Sequence, residues 1–152
     1  MRFSCPLLIS AAACVLLLAG CSAEPALDQA ALDKWTAQQE AVAQGGGSLG
    51  ALSAGITTQD PEPGTDEGIT ITYATPTDIG GFDFSCFGSG TMSGTLTTVA
   101  GSLSTNKVYS SLSCAEGLQR LYLSRAGRTQ VEKVTFNAFD ANQDSAWQVV
   151  IR

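Results

Sequence analysis

Residues 69–86 read ITITYATPTDIGGFDFSC, and their pattern decides the fold class. Apolar Ile69, Ile71 and Tyr73 alternate with small or polar side chains, which is the period of a strand with one buried face. Turn-forming residues follow at 76–81, and a second alternating run begins at Phe82. The stretch therefore predicts two consecutive β-strands.

The same pattern continues to the C-terminus. Further predicted strands cover residues 82–87, 91–99, 107–114, 118–124, 130–138 and 146–151, each bounded by Gly, Asn or Ser. About seven short strands in one small domain are typical of an all-β fold, an antiparallel β-sandwich or barrel. Val131 and Val134 fall on opposite phases of one strand, so a bulge is expected near Glu132 and Lys133.

The segment before this β domain has a different composition. Residues 45–68 (GGGSLGALSAGITTQDPEPGTDEG) mix glycine, serine, proline and acids, which favours a flexible linker. Residues 22–68 carry eight acids against Lys34 alone, a net charge of −7, whereas six acids balance six bases in residues 69–152. We therefore expect residues 69–152 to be the folding unit, without the basic surface that nucleic-acid binding needs.

Residues 25–44 predict a short helix. They are rich in helix-forming residues, with Pro25 at the start and three glycines directly after the end. Trp35 is the large aromatic residue of this helix. Three placements remain open for its side chain: the membrane headgroup layer, a docking contact with the folded domain, or a partner.

The first 21 residues have the form of an export leader. Arg2 precedes an apolar run at 6–18, and the leader closes on Leu18-Ala-Gly-Cys21. This ending resembles the lipobox of bacterial lipoproteins. The resemblance implies a signal peptide at 1–20, a diacylglyceryl thioether on Cys21, and a lipid anchor on the extracytoplasmic face of the cell membrane, with residues 21–44 as the lipidated N-terminus and helix. The alternative is an ordinary secretory leader with a chance cysteine at the cleavage site.

Cys86 and Cys114 are the cysteine pair of the β domain. On strand periodicity both sulfurs point into the core, and an even pair in an exported protein is typical of a disulfide. Structural zinc is the alternative, but it needs about four N or S ligands and the chain has no histidine. In addition, residues 82–91 (FDFSCFGSGT) and the Thr-rich strand after them resemble small uncharacterised lipoproteins of high-GC Gram-positive bacteria, a likeness that implies no activity.

The chain has no histidine, which excludes catalytic mechanisms that use imidazole as a base or as a metal ligand. Asp78 and Asp83 flank Gly80 and Gly81 and form a candidate glycosidase-like pair. Aspartates in turns more often accept backbone hydrogen bonds. We therefore assign no catalytic residue.

A calcium-binding loop is the metal candidate. Asp140, Asn142 and Asp144 match the opening of such a loop, in which alternate oxygens face one ion. The sixth position is Ser145 instead of glycine, and the twelfth is Ile151 instead of a bidentate glutamate. We therefore favour an Asp/Asn-rich turn between strands and predict no metal or cofactor.

Basic and aromatic side chains offer two further binding surfaces. The bases Arg120, Arg125, Arg128 and Lys133 surround one predicted hairpin, where they either protect a sheet edge or meet an anionic lipid or wall polymer. The aromatic residues Tyr73, Tyr109, Tyr122 and Trp147 are candidates for a sugar-stacking platform. Strand phase assigns Tyr73 and Trp147 to the core, which leaves Tyr109 and Tyr122 as the exposed pair.

Together these features predict a membrane-anchored extracytoplasmic binding or interaction module whose ligand is unknown. Its expected partners are the membrane through the lipid, and a protein or a cell-wall polymer. The alternative is a small cell-envelope enzyme or enzyme inhibitor that uses carboxylates.

Overall fold

The computed structural model describes residues 27–61 and 68–152. The predicted signal peptide, Cys21, Pro25 and residues 62–67 of the predicted linker lie outside these ranges. Within them, one helix precedes eight strands arranged in two antiparallel sheets. No helix of the described ranges has the length and apolar content needed to cross a bilayer.

The strands form a sandwich of two four-stranded sheets. The elements are α1 (Gln29–Ala43), β1 (Gly50–Ile56), β2 (Ile69–Thr77), β3 (Phe82–Cys86), β4 (Thr91–Ala100), β5 (Leu103–Ser113), β6 (Gln119–Leu121), β7 (Val131–Phe139) and β8 (Ser145–Ile151). Sheet A has the order β1-β8-β3-β6, and sheet B has the order β2-β7-β4-β5. The all-β sandwich prediction is confirmed, and all seven strands expected between residues 69 and 152 are present.

The eighth strand corrects the predicted linker. Gly50–Ile56 lies inside residues 45–68, yet it forms β1 and pairs antiparallel with β8 along its whole length, from Gly50 opposite Ile151 to Ile56 opposite Ser145. Leu52 and Ile56 are buried in the core. A linker over the whole of 45–68, and a folding unit that begins at residue 69, are therefore wrong. Burial of these two side chains stabilises the strand despite its glycines.

The core lies between the two sheets. Phe136 of β7 contacts Phe84 and Trp147 of sheet A, with ring centroids 5.7 and 4.9 Å apart. Gly94 of β4 lies directly beneath the Phe136 ring, where a Cβ atom would collide with it. Large aromatic rings thus fill the sandwich, and a glycine provides the space for one of them.

Cys86 and Cys114 form a disulfide across the two sheets, as predicted. Their Cα atoms are 4.8 Å apart, and both residues are buried. Cys86 ends β3 in sheet A, whereas Cys114 directly follows β5 in sheet B. The bond therefore ties together the sheets that enclose the core.

The expected bulge is also present. The β2–β7 register shifts between Thr72, opposite Lys133, and Thr77, opposite Val131. The shift lets Val131 and Val134 both point into the core, and both are fully buried. Between these two pairs, β2 contains more residues than β7. The irregularity therefore lies at the position that the phase of Val131 and Val134 predicted, but most of its extra residues are in β2.

Helix α1 is shorter than the predicted 25–44. Asp28 is its N-cap, and the Asp28 carboxylate accepts a hydrogen bond from the Ala31 amide at 3.0 Å. A capping carboxylate satisfies an amide that has no partner inside the helix, which fixes the first turn after residue 28. The helix ends at Ala43, just before the three glycines.

Candidate functional site

The outer face of sheet A carries small and polar side chains around β1 and Gln148. On β1, Leu52, Ala54 and Ile56 point to the core, so Ala51, Ser53 and Gly55 point outward. Ser53 pairs with Gln148 of β8, which pairs in turn with Ser85 of β3, and the three form one row across the sheet. Small side chains on such a face leave room above the sheet.

Helix α1 lies across this face. Trp35 packs edge-to-face against Phe87, with ring centroids 6.1 Å apart. Ser85 donates a hydrogen bond to the side-chain oxygen of Gln39 at 2.9 Å. Of the three placements considered for Trp35, the structure shows docking on the folded domain.

A cavity of about 520 Å³ lies between the helix and the sheet. It is lined by α1 and the residue Leu27 before it, by β1 and the turn after it, and by the start of β8: Leu27, Leu32, Trp35, Thr36, Gln39, Glu40, Ser53, Ala54, Gly55, Ile56, Thr57, Asp60, Asp144, Ser145, Ala146, Trp147 and Gln148. Its volume is in the range of small-molecule sites, about 300–1,000 Å³.

Gln148 lies in the sheet beneath this cavity. Its side chain is on the outward face of β8, yet the residue is only 4% exposed because α1 covers it. Among the described residues, its Oε1 atom has no hydrogen-bond partner. A buried acceptor without a donor costs about 1–3 kcal/mol. Gln148 thus adds a buried polar side chain to the wall of the cavity.

Carboxylates occupy the opening of the cavity. Glu40, Asp60 and Asp144 line it and are exposed. The Thr57 amide donates to Asp60 at 2.7 Å, and the adjacent Thr58 amide donates to Asp144 at 3.0 Å. A backbone amide of this turn therefore holds each of these two acids. Among the described lining residues there is no Lys or Arg, so this opening has a negative potential.

The calcium-loop candidates do not converge on one point. The Asn142 side chain accepts from the Thr91 amide at 2.7 Å, and Asp144 accepts from Thr58. Asp140 has a positive φ of 51° at the turn. Within the described ranges, no group of three or more His, Cys, Asp or Glu side chains is arranged to hold a metal ion. The oxygens instead satisfy backbone amides, as in an Asp/Asn-rich turn.

The two acids of the candidate glycosidase pair, Asp78 and Asp83, each have their own hydrogen-bond partners. Asp78 accepts hydrogen bonds from the Gln130 amide at 2.8 Å and from its side chain at 3.3 Å. Asp83 is buried beneath two guanidinium groups, with Arg120 at 2.9 Å and Arg152 at 3.1 Å. Each carboxylate thus stabilises the ends of strands through its own partners.

The basic residues have different environments. Arg120 holds Asp83, and Arg128 donates to the carbonyl oxygens of Leu123, Ile79 and Gly80 at 3.2 to 3.4 Å. Arg125 and Lys133 are exposed. Two of the four bases are therefore structural, and the structure does not gather the four into one binding surface.

The tyrosines do not form an exposed pair. Tyr109 packs against the core and donates its hydroxyl to the carbonyl of Tyr122 at 2.7 Å, and burial raises the Tyr109 pKa to about 12. Tyr122 is 68% exposed. Tyr73 packs against the core, where burial raises its pKa, and Trp147 is buried, as strand phase predicted.

Sequence reasoning missed the cavity because its walls are distant in the chain. The helix, β1 and β8 meet only after β1 joins β8, and residues 50–56 were assigned to the linker. The available signal was the spacing of Leu52, Ala54 and Ile56, which alternates as in a half-buried strand.

Comparisons of the chain with protein-family models, with curated proteins and with solved structures found no match. The chemistry of the site therefore follows from its own geometry.

Proposed function

We propose that the protein is an extracytoplasmic lipoprotein, anchored by lipid on Cys21, that binds a small amphipathic molecule between α1 and sheet A. The observation that carries the binding proposal is Gln148. This residue is buried, lines a cavity of ligand size, and has a side-chain acceptor without a partner among the described residues. A polar side chain in the wall of a largely apolar cavity favours a ligand that has a polar group.

The lining supports an amphipathic ligand. Leu27, Leu32 and Trp35 provide an apolar wall on the helix side, whereas Gln148 and the acids provide polar contacts. Apolar walls with a few placed polar groups are typical of small-molecule sites. The ligand therefore combines an apolar body with at least one polar group.

The position of the cavity in the chain supports a role near a membrane. Leu27, which lines it, is six residues from Cys21. Six residues of chain reach at most about 21 Å. If Cys21 carries the lipid, the cavity lies within that distance of the anchor.

Intrinsic fluorescence tests the binding proposal, because the chain's two tryptophans, Trp35 and Trp147, both line the cavity. We expect 1-octanol, a neutral amphiphile, to change the emission in a saturable manner. Ser53→Leu fills the cavity from the outer face of β1 and should abolish the response. Ala51→Leu is the matched control, since Ala51 lies on the same face of β1 outside the lining.

An unsaturable response, or equal responses in Ser53→Leu and the unaltered protein, would reject the cavity as a binding site. The anchor has a separate test. Intact-mass analysis of protein from native membranes should find Cys21 as the modified N-terminus, and an unmodified Cys21 would remove the lipoprotein part of the proposal.

A further inference from the structure

The cavity beneath α1 has apolar walls that are partly open to solvent. Leu27, Leu32 and Trp35 line it from the helix side and are only partly buried. Gly55 and Ala146 are paired on the outer face of sheet A and line the opposite side, without polar side-chain atoms. A group that fills the cavity therefore removes apolar surface from water, which favours an occupant with an apolar body.

The described part of the chain begins at this cavity. Leu27 is the first described residue, and it lines the cavity directly before the N-cap Asp28. Cys21 precedes Leu27 by six residues, which span at most about 21 Å. A lipid on Cys21 is therefore joined to the wall of the cavity by a short segment of chain.

This short connection favours the protein's own lipid over lipids of the surrounding membrane. A group that is tethered close to its site is presented to that site at an effective concentration in the millimolar range. A free membrane lipid has no such link, and it loses translational freedom when it binds. The lipid on Cys21 has already lost that freedom through its covalent bond.

The hydrophobic effect allows one acyl chain to move from the bilayer to the cavity. Both places keep the chain from water, so the burial of the chain itself nearly cancels. The partly exposed walls at Leu27, Leu32 and Trp35 are buried only when the chain lies in the cavity. The net hydrophobic contribution therefore favours the cavity, while the second chain of a diacylglyceryl group stays in the membrane.

From these features we infer that the occupant of the cavity is one acyl chain of the lipid on Cys21. The ester-linked chain combines an apolar body with a polar group, as the lining favours. The inference rests on the anchor and the binding site proposed above, and it identifies the ligand as part of the protein itself. Lipidation then regulates the site, because an external amphiphile must displace the tethered chain.

Photocrosslinking of the lipidated protein tests the inference. Cells that make the protein are supplied with a fatty acid that has a diazirine in the middle of its chain, and their membranes are illuminated. Light expels N₂ from the diazirine, and the resulting carbene inserts into a neighbouring C–H, N–H or O–H bond. Trypsin cleaves after Lys34 and Lys133, so Cys21 and Ala146 end in different peptides. Mass spectrometry should find the Cys21 peptide joined through its acyl chain to residues 134–152, at Ala146 or beside it.

Variants assign the crosslink to the cavity. Ser53 lines the cavity from β1, and Ser53→Leu fills it. This variant should lower the yield of the crosslink at least about tenfold, because overfilling a site costs that much or more in affinity. Ala51→Leu is the matched control on the same face of β1 outside the lining, and it should leave the yield unchanged. Circular dichroism checks the fold of each variant.

A 1-octanol titration of the Cys21→Ser variant, which cannot accept the lipid, measures the cavity independently. If 1-octanol binds there in a Ser53→Leu-sensitive manner but the Cys21 peptide is not joined to residues 134–152, the inference is overturned and the binding site stands. Free membrane lipid attached to Ala146 would then identify the bilayer as the source of the ligand. An equal crosslink yield in Ser53→Leu would place the chain outside the cavity and also overturn the inference.

The two remaining results concern the proposed function as well. If intact-mass analysis finds Cys21 without lipid, the anchor and this inference fail together, and the 1-octanol titration still decides the binding site. If neither the crosslink nor 1-octanol binding is found, the inference and the binding site both fail.

Discussion

Replacing Leu52 with alanine should destabilise the protein by about 3 kcal/mol. Leu52 is 1% exposed, lies in the middle of β1 and faces the core opposite Val149. Deleting a buried leucine side chain costs about 2–5 kcal/mol through lost burial and the cavity left behind. Because β1 is an edge strand and can relax around the smaller side chain, we expect a cost in the lower half of that range. A small domain has about 5–15 kcal/mol of stability in total, so the loss is large.

Urea denaturation followed by tryptophan fluorescence measures the effect. Leu49→Ala is the matched control, because Leu49 is one residue before the same strand and is 38% exposed. Its free energy of unfolding should change by less than about 1 kcal/mol. If Leu52→Ala were no more destabilising than Leu49→Ala, residues 50–56 would be a linker after all, and the cavity would lose its β1 wall.

Three further predictions concern the sandwich and its buried polar atoms. Gln148→Met should raise the free energy of unfolding by about 1 kcal/mol in urea denaturation, because an unpartnered oxygen is replaced by an apolar group of similar shape; a destabilised variant would mean that Oε1 is hydrogen-bonded. Substituting Cys86 and Cys114 together with alanine should cost about 3–4 kcal/mol in the same assay, since the bond closes a loop across 28 positions. A loss below about 1 kcal/mol would show that the sheets do not need the link. Stability should fall as pH rises from about 10 through about 12, because burial raises the folded-state pKa of Tyr109 to about 12 while the unfolded tyrosine titrates near 10. Absorbance at 295 nm should show a tyrosine that titrates near pH 12 and is missing in Tyr109→Phe, and its persistence in that variant would reject the assignment.

Most of the fold was predictable because period-two alternation is a local signal. The runs that start at Ile69 and Phe82 became β2 and β3, and the phase of Val131 and Val134 located the register shift. The disulfide followed from the inward phase of Cys86 and from the cysteine count. The strand and register inferences used residues within a few positions of one another, whereas the disulfide inference used the cysteine count of the chain.

Strand β1 was not predictable in the same way. Its sequence, GALSAGI, has two glycines and two alanines, so its composition matches a linker. It is a strand because β8, about 90 residues later, supplies hydrogen-bond partners, and because Leu52 and Ile56 fill the core. Tertiary contacts override local propensity in such cases.

The candidate site was less accessible to sequence reasoning than the fold. Asp144 was singled out as a calcium ligand, yet it lines the cavity and holds the turn after β1. Docking of Trp35 on the folded domain was one of the three placements that the sequence left open. Gln148 carried no signal in the sequence, because its burial depends on the helix that covers the outer face of sheet A.

The central claim is that a ligand occupies the cavity beneath α1 and contacts Gln148. Two-dimensional NMR of the side-chain amides and indoles during a titration with 1-octanol measures this contact directly, and the Gln148 signals are assigned by their absence in Gln148→Met. We predict saturable shifts of the Gln148 amide and the Trp35 indole, with no shift of the Gln119 amide on β6 at the opposite edge of sheet A. Unchanged Gln148 and Trp35 signals at 1-octanol concentrations that shift other residues would contradict the claim.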